Sequence, residues 1–420
     1  MNQKKKTGIG IIAILISISI LIGVYVVGPD SSETVQANSA DSSGLEGEVS
    51  IGLILPITGD LATHGEENWE GSKLGVVDFN EHLKDIGAGW HLKMVSEDSQ
   101  TNPVIALEKL TSLHAKGIGV VVGPETSSNI RNVKGYADSN NMLLVSCCSS
   151  APALAIPNDN VFRLVPDDRN QGAAIAKLMQ HEGIDVLVPV WRGDTWGDGL
   201  SEATMNSFGN RGGMVDDGIR YNPESPEFST SASLLAEKIN NYVEQYGAEN
   251  VGIAFLGFSE VLQFVQSSSS HEILDDVRWF GPGSINKEYK LIDDPVGLEF
   301  SNSMQFTAVQ VAASDSEKYQ RVHDHLVKTL GRAPNTFVHS SYDVVWIIGL
   351  SMLEAQSTDP HDIKSILPKI AESYSGSIGS TKLNEAGDLD QADYEVWGIR
   401  DGQWLLLGKY SASDDSVTLT

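Results

Sequence analysis

The chain is short of basic residues, short of cysteine, and without any motif that fixes a metal or a phosphate. Its 420 residues carry 29 Lys and Arg against 56 Asp and Glu, a net charge of −27. A surface of that sign excludes a nucleic-acid partner, which needs a basic footprint. Only two cysteines occur, Cys147 and Cys148, and they are neighbours. No disulfide framework follows from such a pair. Two buried small thiols are the expected state, and a strained vicinal disulfide is the alternative. CxxC, HExxH and Walker-type glycine loops are missing, and the pairs His181-Glu182 and His271-Glu272 lack a second histidine. No metal and no cofactor is therefore expected. Asn384 to Asp390 is acidic but lacks calcium-loop spacing, and reads as a turn. No serine sits in a Gly-x-Ser-x-Gly elbow, so neither Ser127 nor Ser150 reads as a nucleophile and the chain is not expected to be an enzyme.

Charge is also missing from one long run. Lys4-Lys5-Lys6 precede an uncharged apolar stretch from Gly8 to Gly28. That length spans a bilayer as a helix, and the basic flank keeps the N-terminus inside. Residues 1–28 are therefore expected to be a transmembrane signal anchor, which makes this a single-pass cell-membrane protein with its bulk outside. A cleaved signal ending near Val35-Gln36-Ala37 is the competing reading. Residues 29–48, rich in Ser, Gly, Asp and Glu, read as a flexible tether.

What the chain has is 41% hydrophobic residues, a folded composition long enough for two or three domains. Two serine-rich turns follow two apolar strands. Val120-Val121-Val122 runs into Gly123-Pro124-Glu125-Thr126-Ser127-Ser128, and Leu143-Leu144-Val145 runs into Ser146-Cys147-Cys148-Ser149-Ser150. The segment between them, 129–140, has the length of a crossover helix. The unit predicts parallel neighbouring strands whose turns open into one crevice. Ligands sit in that crevice in open α/β sheets. Hydroxyls and helix-start amides there suit a small polar group.

The same alternation runs along most of the chain. A buried strand over 49–55 leads to a helix over 66–83 with Trp69, Leu74, Val77 and Leu83 on one face. A second series begins after Arg163, with strands at 185–191, 214–221, 250–256 and 277–280 between helices. Helices over 316–330 and 338–356 follow, then a hairpin around Arg400-Asp401-Gly402-Gln403. The pattern predicts an α/β fold with two doubly wound, Rossmann-like lobes.

These residues resemble the extracellular solute-binding proteins of the branched-chain amino acid type, which share a fold with amide-binding and urea-binding relatives. The resemblance covers roughly 49–409. It rests on Pro56-Ile57-Thr58-Gly59 with His64-Gly65, on Gly123-Pro124 with Ser127-Ser128, and on Ser146 through Pro152. Phe162 to Asp168 with Gln171-Gly172, Trp191 to Gly199, Ser341-Tyr342-Asp343 and Gly387-Asp388 complete it. The resemblance implies a type I periplasmic-binding fold with a three-crossing hinge. Residues 49–165 plus 305–374 would form lobe 1, residues 166–304 plus 375–410 lobe 2, and 411–420 a C-terminal tail. It implies that Ser127 meets a ligand carboxylate, that the backbone at Cys148 binds the ligand and the Ser150 hydroxyl its polar head, with Ser149 also at the site, that Trp196 covers the ligand, and that Phe258 lies at the cleft and His64 near its entrance.

One position departs from the family. Gly283 stands where its amino-acid binders carry a glutamate for the ligand ammonium, and a buried ammonium without a partner is costly. The implied ligand widens to an amide, urea or small carboxylate unless Glu260 or Asp194 supplies the charge. The implied partners are that small polar solute and the permease of an ABC importer. A sensing receptor ectodomain working with a separate signalling partner is the alternative.

Overall fold

The structure is a computed structural model that describes residues 44–420. The expected membrane segment lies outside the described residues, as does most of the tether. Among the described residues no helix is long and apolar enough to cross a membrane.

The first half is a strand-helix alternation: β1 (Gly47–Leu55), α1 (Ala62–Asp85), β2 (Trp90–Asp98), α2 (Pro103–Ala115), β3 (Val120–Val122), α3 (Ser127–Ser139), β4 (Leu143–Ser146) and β5 (Val161–Arg163). These strands form a parallel sheet in the order β2-β1-β3-β4-β5. The expected β3-α3-β4 unit is present, with Val120 opposite Leu143 and Val122 opposite Val145. Both strands end at the same edge, so both serine turns open on one side. Gly47 and Glu48, expected in the tether, already pair with Trp90 and His91.

The chain then builds a second sheet from α4 (Asp168–His181), β6 (Val186–Arg192), α5 (Thr195–Asn210), β7 (Met214–Val215), β8 (Ile219–Tyr221), α6 (Ser229–Tyr246), β9 (Val251–Leu256), α7 (Val261–Ser268), β10 (Arg278–Gly281), α8 (Lys290–Asp293), α9 (Pro295–Ser303) and β11 (Thr307–Val311). The strand expected over 214–221 is split in two. Gly218 has a positive φ of 68° and accepts no side chain there, since a Cβ would meet the Pro189 carbonyl oxygen at 2.3 Å.

Helices α10 (Glu317–Leu330), α11 (Phe337–Ala355) and α12 (Pro360–Ser373) return to the first half, where Val344, Ile348, Ile363 and Leu367 join its core. A short ladder of β12 (Ser375–Gly376) and β13 (Gly379–Ser380) leads to β14 (Tyr394–Arg400), β15 (Gln403–Ser411) and β16 (Ser416–Leu419). The last three are antiparallel additions to the second sheet, whose order is β16-β15-β14-β11-β10-β9-β6-β7, with β8 also on β6. The chain thus passes between the halves three times.

Three further placements differ from expectation. Residues 375–389 were expected with the second half, but Leu389 lies in the first core and Ile378 and Leu383 pack on it. Strand β11 was expected with the first half, yet it lies parallel to β10 through Phe280 and Thr307. Its buried Ala308 and Val309 complete the second core. Residues 411–420 were expected as a tail, but 416–419 pair with β15, and Val417 and Leu419 pack on that core. A run of four alternating residues is too short to stand out in the sequence without its partner strand.

Candidate functional site

The turns that end the strands of the two halves face each other across a small buried cavity. Its walls are Leu61, His64, Glu125, Thr126, Ser127, Cys148, Ser150, Gln171, Trp196, Phe258, Ser284 and Phe337. The space leaves about 40 Å³ for the centres of solvent-sized atoms, room for a few such atoms. Larger hollows lie between Asn158 and Gly387 and along β15 and β16, away from the turns after β3 and β4. A third opens between the halves, with Asp60 and Ser128 on one side and Arg192 and Asn222 on the other.

The wall from the first half is polar and tightly braced. Strand β3 runs into Gly123, whose φ of 95° admits only glycine, since a Cβ there would also sit 2.3 Å from the Ile54 carbonyl oxygen. Thr126 caps α3 by accepting a hydrogen bond from the Asn129 amide at 3.2 Å. The Ser127 hydroxyl lies 3.0 Å from that of Ser149 and accepts from the Ala151 amide at 3.2 Å, tying one serine turn to the other. Ser146 donates to the Pro124 carbonyl at 2.7 Å and accepts from the Ser149 amide at 3.1 Å. Below them the fully buried Arg163 donates to the carbonyls of Ser149 and Ala151 and pairs with Asp388 at 2.5 Å. A guanidinium held this way fixes the backbone of the second turn. Asp388, from the acidic turn over 384–390, is thus a structural partner rather than a calcium ligand.

Cys147 and Cys148 are joined as a vicinal disulfide, which corrects the expectation of two free thiols. The tight turn after Ser146 brings the sulfurs together, and Asn68 donates to the Cys148 sulfur at 3.4 Å. The Glu125 carboxylate lies within 4.8 Å of both sulfurs.

The wall from the second half is aromatic. Asp194 caps α5, accepting from the amides of Trp196 and Gly197, and so presents Trp196 in the first helical turn. The rings of Trp196 and Phe258 lie 4.7 Å apart, and the Arg192 guanidinium sits 3.8 Å from the Phe258 ring. Arg192 in turn pairs with Glu260 at 2.8 Å and Asp194 at 2.7 Å, and the Tyr221 hydroxyl donates to Glu260. Both carboxylates are thus paired with Arg192, although the second oxygen of Glu260, Oε2, has no partner, and neither residue is in the cavity wall. Two contacts cross the cleft here: Arg192 to Asp60 at 3.6 Å, and the Ser259 hydroxyl donating to the Asp60 carbonyl.

Of the residues expected at the site, His64, Ser127, Cys148, Ser150, Trp196 and Phe258 line the cavity. Ser149 is buried directly behind it against Ser127, and Gly283 is not in the wall. The Gly283 amide donates to the Gln171 side-chain oxygen at 2.8 Å, and a Cβ on it would sit 3.3 Å from that oxygen and 3.6 Å from the Phe337 ring. Gln171 therefore occupies the space a side chain at 283 would enter. Gln171 also donates to Asp168, which accepts from Ser150, so one hydrogen-bonded chain links both halves at the cavity floor. Burial raises the Asp168 carboxyl to about 7 and lowers His64 to about 4, so His64 lines the cavity as a neutral ring.

Sequence reasoning quoted Glu125 within its turn but assigned it no role. It is buried, and its Oε2 has no partner. Burial raises its carboxyl to about 8; a hydrogen bond from Asn68 opposes the shift and the nearby Glu67 charge adds to it. An acidic residue between Gly-Pro and a helix cap was the available signal.

Residues 73–402 match the model of a family described as the receptor family ligand binding region. The chain belongs to this ligand-binding family. An uncharacterized protein of Methanocaldococcus jannaschii is 26% identical over 422 residues, covering 95% of this chain and 98% of its own. A Leu/Ile/Val-binding protein homolog of Brucella melitensis is 23% identical, over 89% of this chain and 97% of its own. Among solved structures, a leucine-binding protein of Thermotoga maritima superposes with a TM-score of 0.75 at 18% identity, over 87% of this chain and 99% of that one. The ligand-binding family thus takes here the α/β type I periplasmic-binding fold expected from the sequence.

Proposed function

We propose that this protein is the solute-binding component of an ABC importer. It captures a small polar solute, an amino acid, amide, urea or small carboxylate, between the two halves. The observation that carries this reading is the cavity itself: hydroxyls and a carboxylate from one half meet two adjoining aromatic rings from the other. The walls come together only when the halves touch, so ligand contacts from both favour closure. The Leu/Ile/Val-binding and leucine-binding relatives support a solute of this size. The apolar run from Gly8 to Gly28 would hold the protein at the outer face of the membrane, beside the permease that receives the solute.

The test is thermal unfolding of the full chain in detergent with amino acids, urea, short amides and small carboxylates. A ligand at one hundred times its Kd adds about 2.7 kcal/mol, which raises the midpoint by a degree or more. A shift with one class supports solute capture; no shift with any class removes it.

A further inference from the structure

Glu125 is the single ionisable carboxylate among the cavity's wall residues, and no lysine or arginine accompanies it there. It is 97% buried by its 3% exposure, one oxygen is without a partner, and the cavity is the open space beside it. A buried carboxyl oxygen left unmatched costs stability, so it calls for a partner that arrives from outside. The other acids near the cleft already have charged or polar partners: Glu260 and Asp194 pair with Arg192, and Asp168 accepts from Ser150 and Gln171. Glu260 also keeps one oxygen without a partner, but it is neutralised by Arg192 and does not line the cavity.

We infer that Glu125 receives the positively charged nitrogen of the ligand, which makes that ligand a small primary amine, an amino acid above all. The inference rests on the solute-binding reading and narrows it. It places the ammonium on the first half, two residues from Ser127 at the start of α3. An amino acid's carboxylate then falls naturally to the hydroxyls and amides of the same turn, and its side chain to Leu61, Trp196, Phe258 and Phe337.

The exchange balances as a proton release. In the empty cavity Glu125 holds its proton near neutrality; the ligand enters as an ammonium, the carboxyl gives its proton to solvent, and a carboxylate-ammonium pair remains. The groups that face Glu125 do not reverse this. From α1 come neutral His64, the Asn68 amide, and Glu67, which accepts from the Asn335 amide and pairs with Arg332. From the turn after β4 comes the disulfide, which does not titrate. Asp168, behind Ser150, titrates in the same range and must be separated by a variant.

The experiment is calorimetric titration of the full chain in detergent near pH 7, in two buffers of different ionisation enthalpy. The probes are leucine, alanine, isobutyramide, isobutyrate and urea. An amino acid should bind at least about a hundredfold more tightly than the matching amide or acid, with release of most of one proton. Glu125→Gln should weaken amino-acid binding by about a hundredfold or more, as for removal of one member of a buried charge pair, and abolish the release. Any release that persists in Glu125→Gln belongs to Asp168 or to Glu67, whose carboxyl burial also raises. Circular dichroism checks that the variant is folded. If it is not, Glu125→Asp, which keeps the charge, and the wild-type proton count decide the matter. Binding of an amide or carboxylate but of no amine overturns the inference and leaves solute capture standing. Amino-acid binding without proton release, or undiminished in Glu125→Gln, also overturns it. Binding of no probe removes both readings.

Discussion

The polar part of the cavity wall from the first half comes from two short runs, Glu125 to Ser127 and Cys148 with Ser150, held by hydrogen bonds within and between two turns, with Leu61, His64 and Phe337 beside them. The wall from the second half is made of residues far apart in the chain, Trp196, Phe258 and Ser284, held by the ion pairs of Arg192 and by ring packing. The first is a polar cradle whose shape is set by backbone; the second is an apolar cover whose shape is set by side chains. A cradle keeps its geometry when the halves part, because its bonds are internal. A cover contributes to binding only when the halves meet, and this makes it the natural carrier of ligand-dependent closure.

This contrast can be broken most strongly at Arg163. Arg163→Ala leaves Asp388 buried and unpaired and frees two carbonyls of the second serine turn, and should cost about 3–5 kcal/mol, read by urea unfolding. The cover is next. Trp196→Ala empties a buried site beside Phe258 and should cost about 3 kcal/mol, with faster solute release in stopped-flow fluorescence, whereas Trp196→Phe should restore much of both.

A pH comparison sharpens the contrast further. Carboxyls raised by burial, Glu125 to about 8 and Asp168 to about 7, bind protons in the folded state that the unfolded chain has lost. Their stabilisation is complete below the unfolded pKa and is lost as pH rises through the folded one. His64, lowered to about 4, runs the other way: its share is full above its unfolded value of 6.5 and lost as pH falls towards 4. Across the window from 6.5 to 8 the His64 share is full and constant, so wild-type stability should decline there through the two carboxyls. The slope for one group approaches about 1.4 kcal/mol per pH unit at most. Glu125→Gln should flatten that slope, as followed by the unfolding midpoint at a series of pH values.

Smaller effects follow. Ser127→Ala removes the link between the serine turns and should cost about 1 kcal/mol, measured by chemical denaturation. Asp60→Ala removes a half-exposed charge opposite Arg192, which keeps its other two partners. Stability should change by less than about 0.5 kcal/mol, while small-angle scattering should show a more open average form.

Legibility in the sequence followed the same divide. The serine turns were readable because strand, turn and helix start are adjacent, and Trp196 stood out as a tryptophan ahead of a glycine in a polar turn. Gln171 was visible only as a landmark, since its partners Asp168 and Gly283 include a residue 112 positions away. The role of Arg163 was hidden for the same reason: Asp388 is 225 positions on. Strand β16 and the placement of β11 depended on partner strands that no local pattern announces.

Local pattern by itself determined the order of strands and helices, the two serine turns, and the absence of a basic surface, because periodicity, turn chemistry and net charge are properties of neighbouring residues or of composition. Tertiary structure alone decided that Cys147 and Cys148 are joined, that Glu260 and Asp194 pair with Arg192, that Gln171 fills the space beside Gly283, and that Glu125 lines the cavity with an unmatched oxygen. Those outcomes rest on desolvation and on pairing, and both are set by which distant residues fold against a group rather than by the residues beside it in the chain.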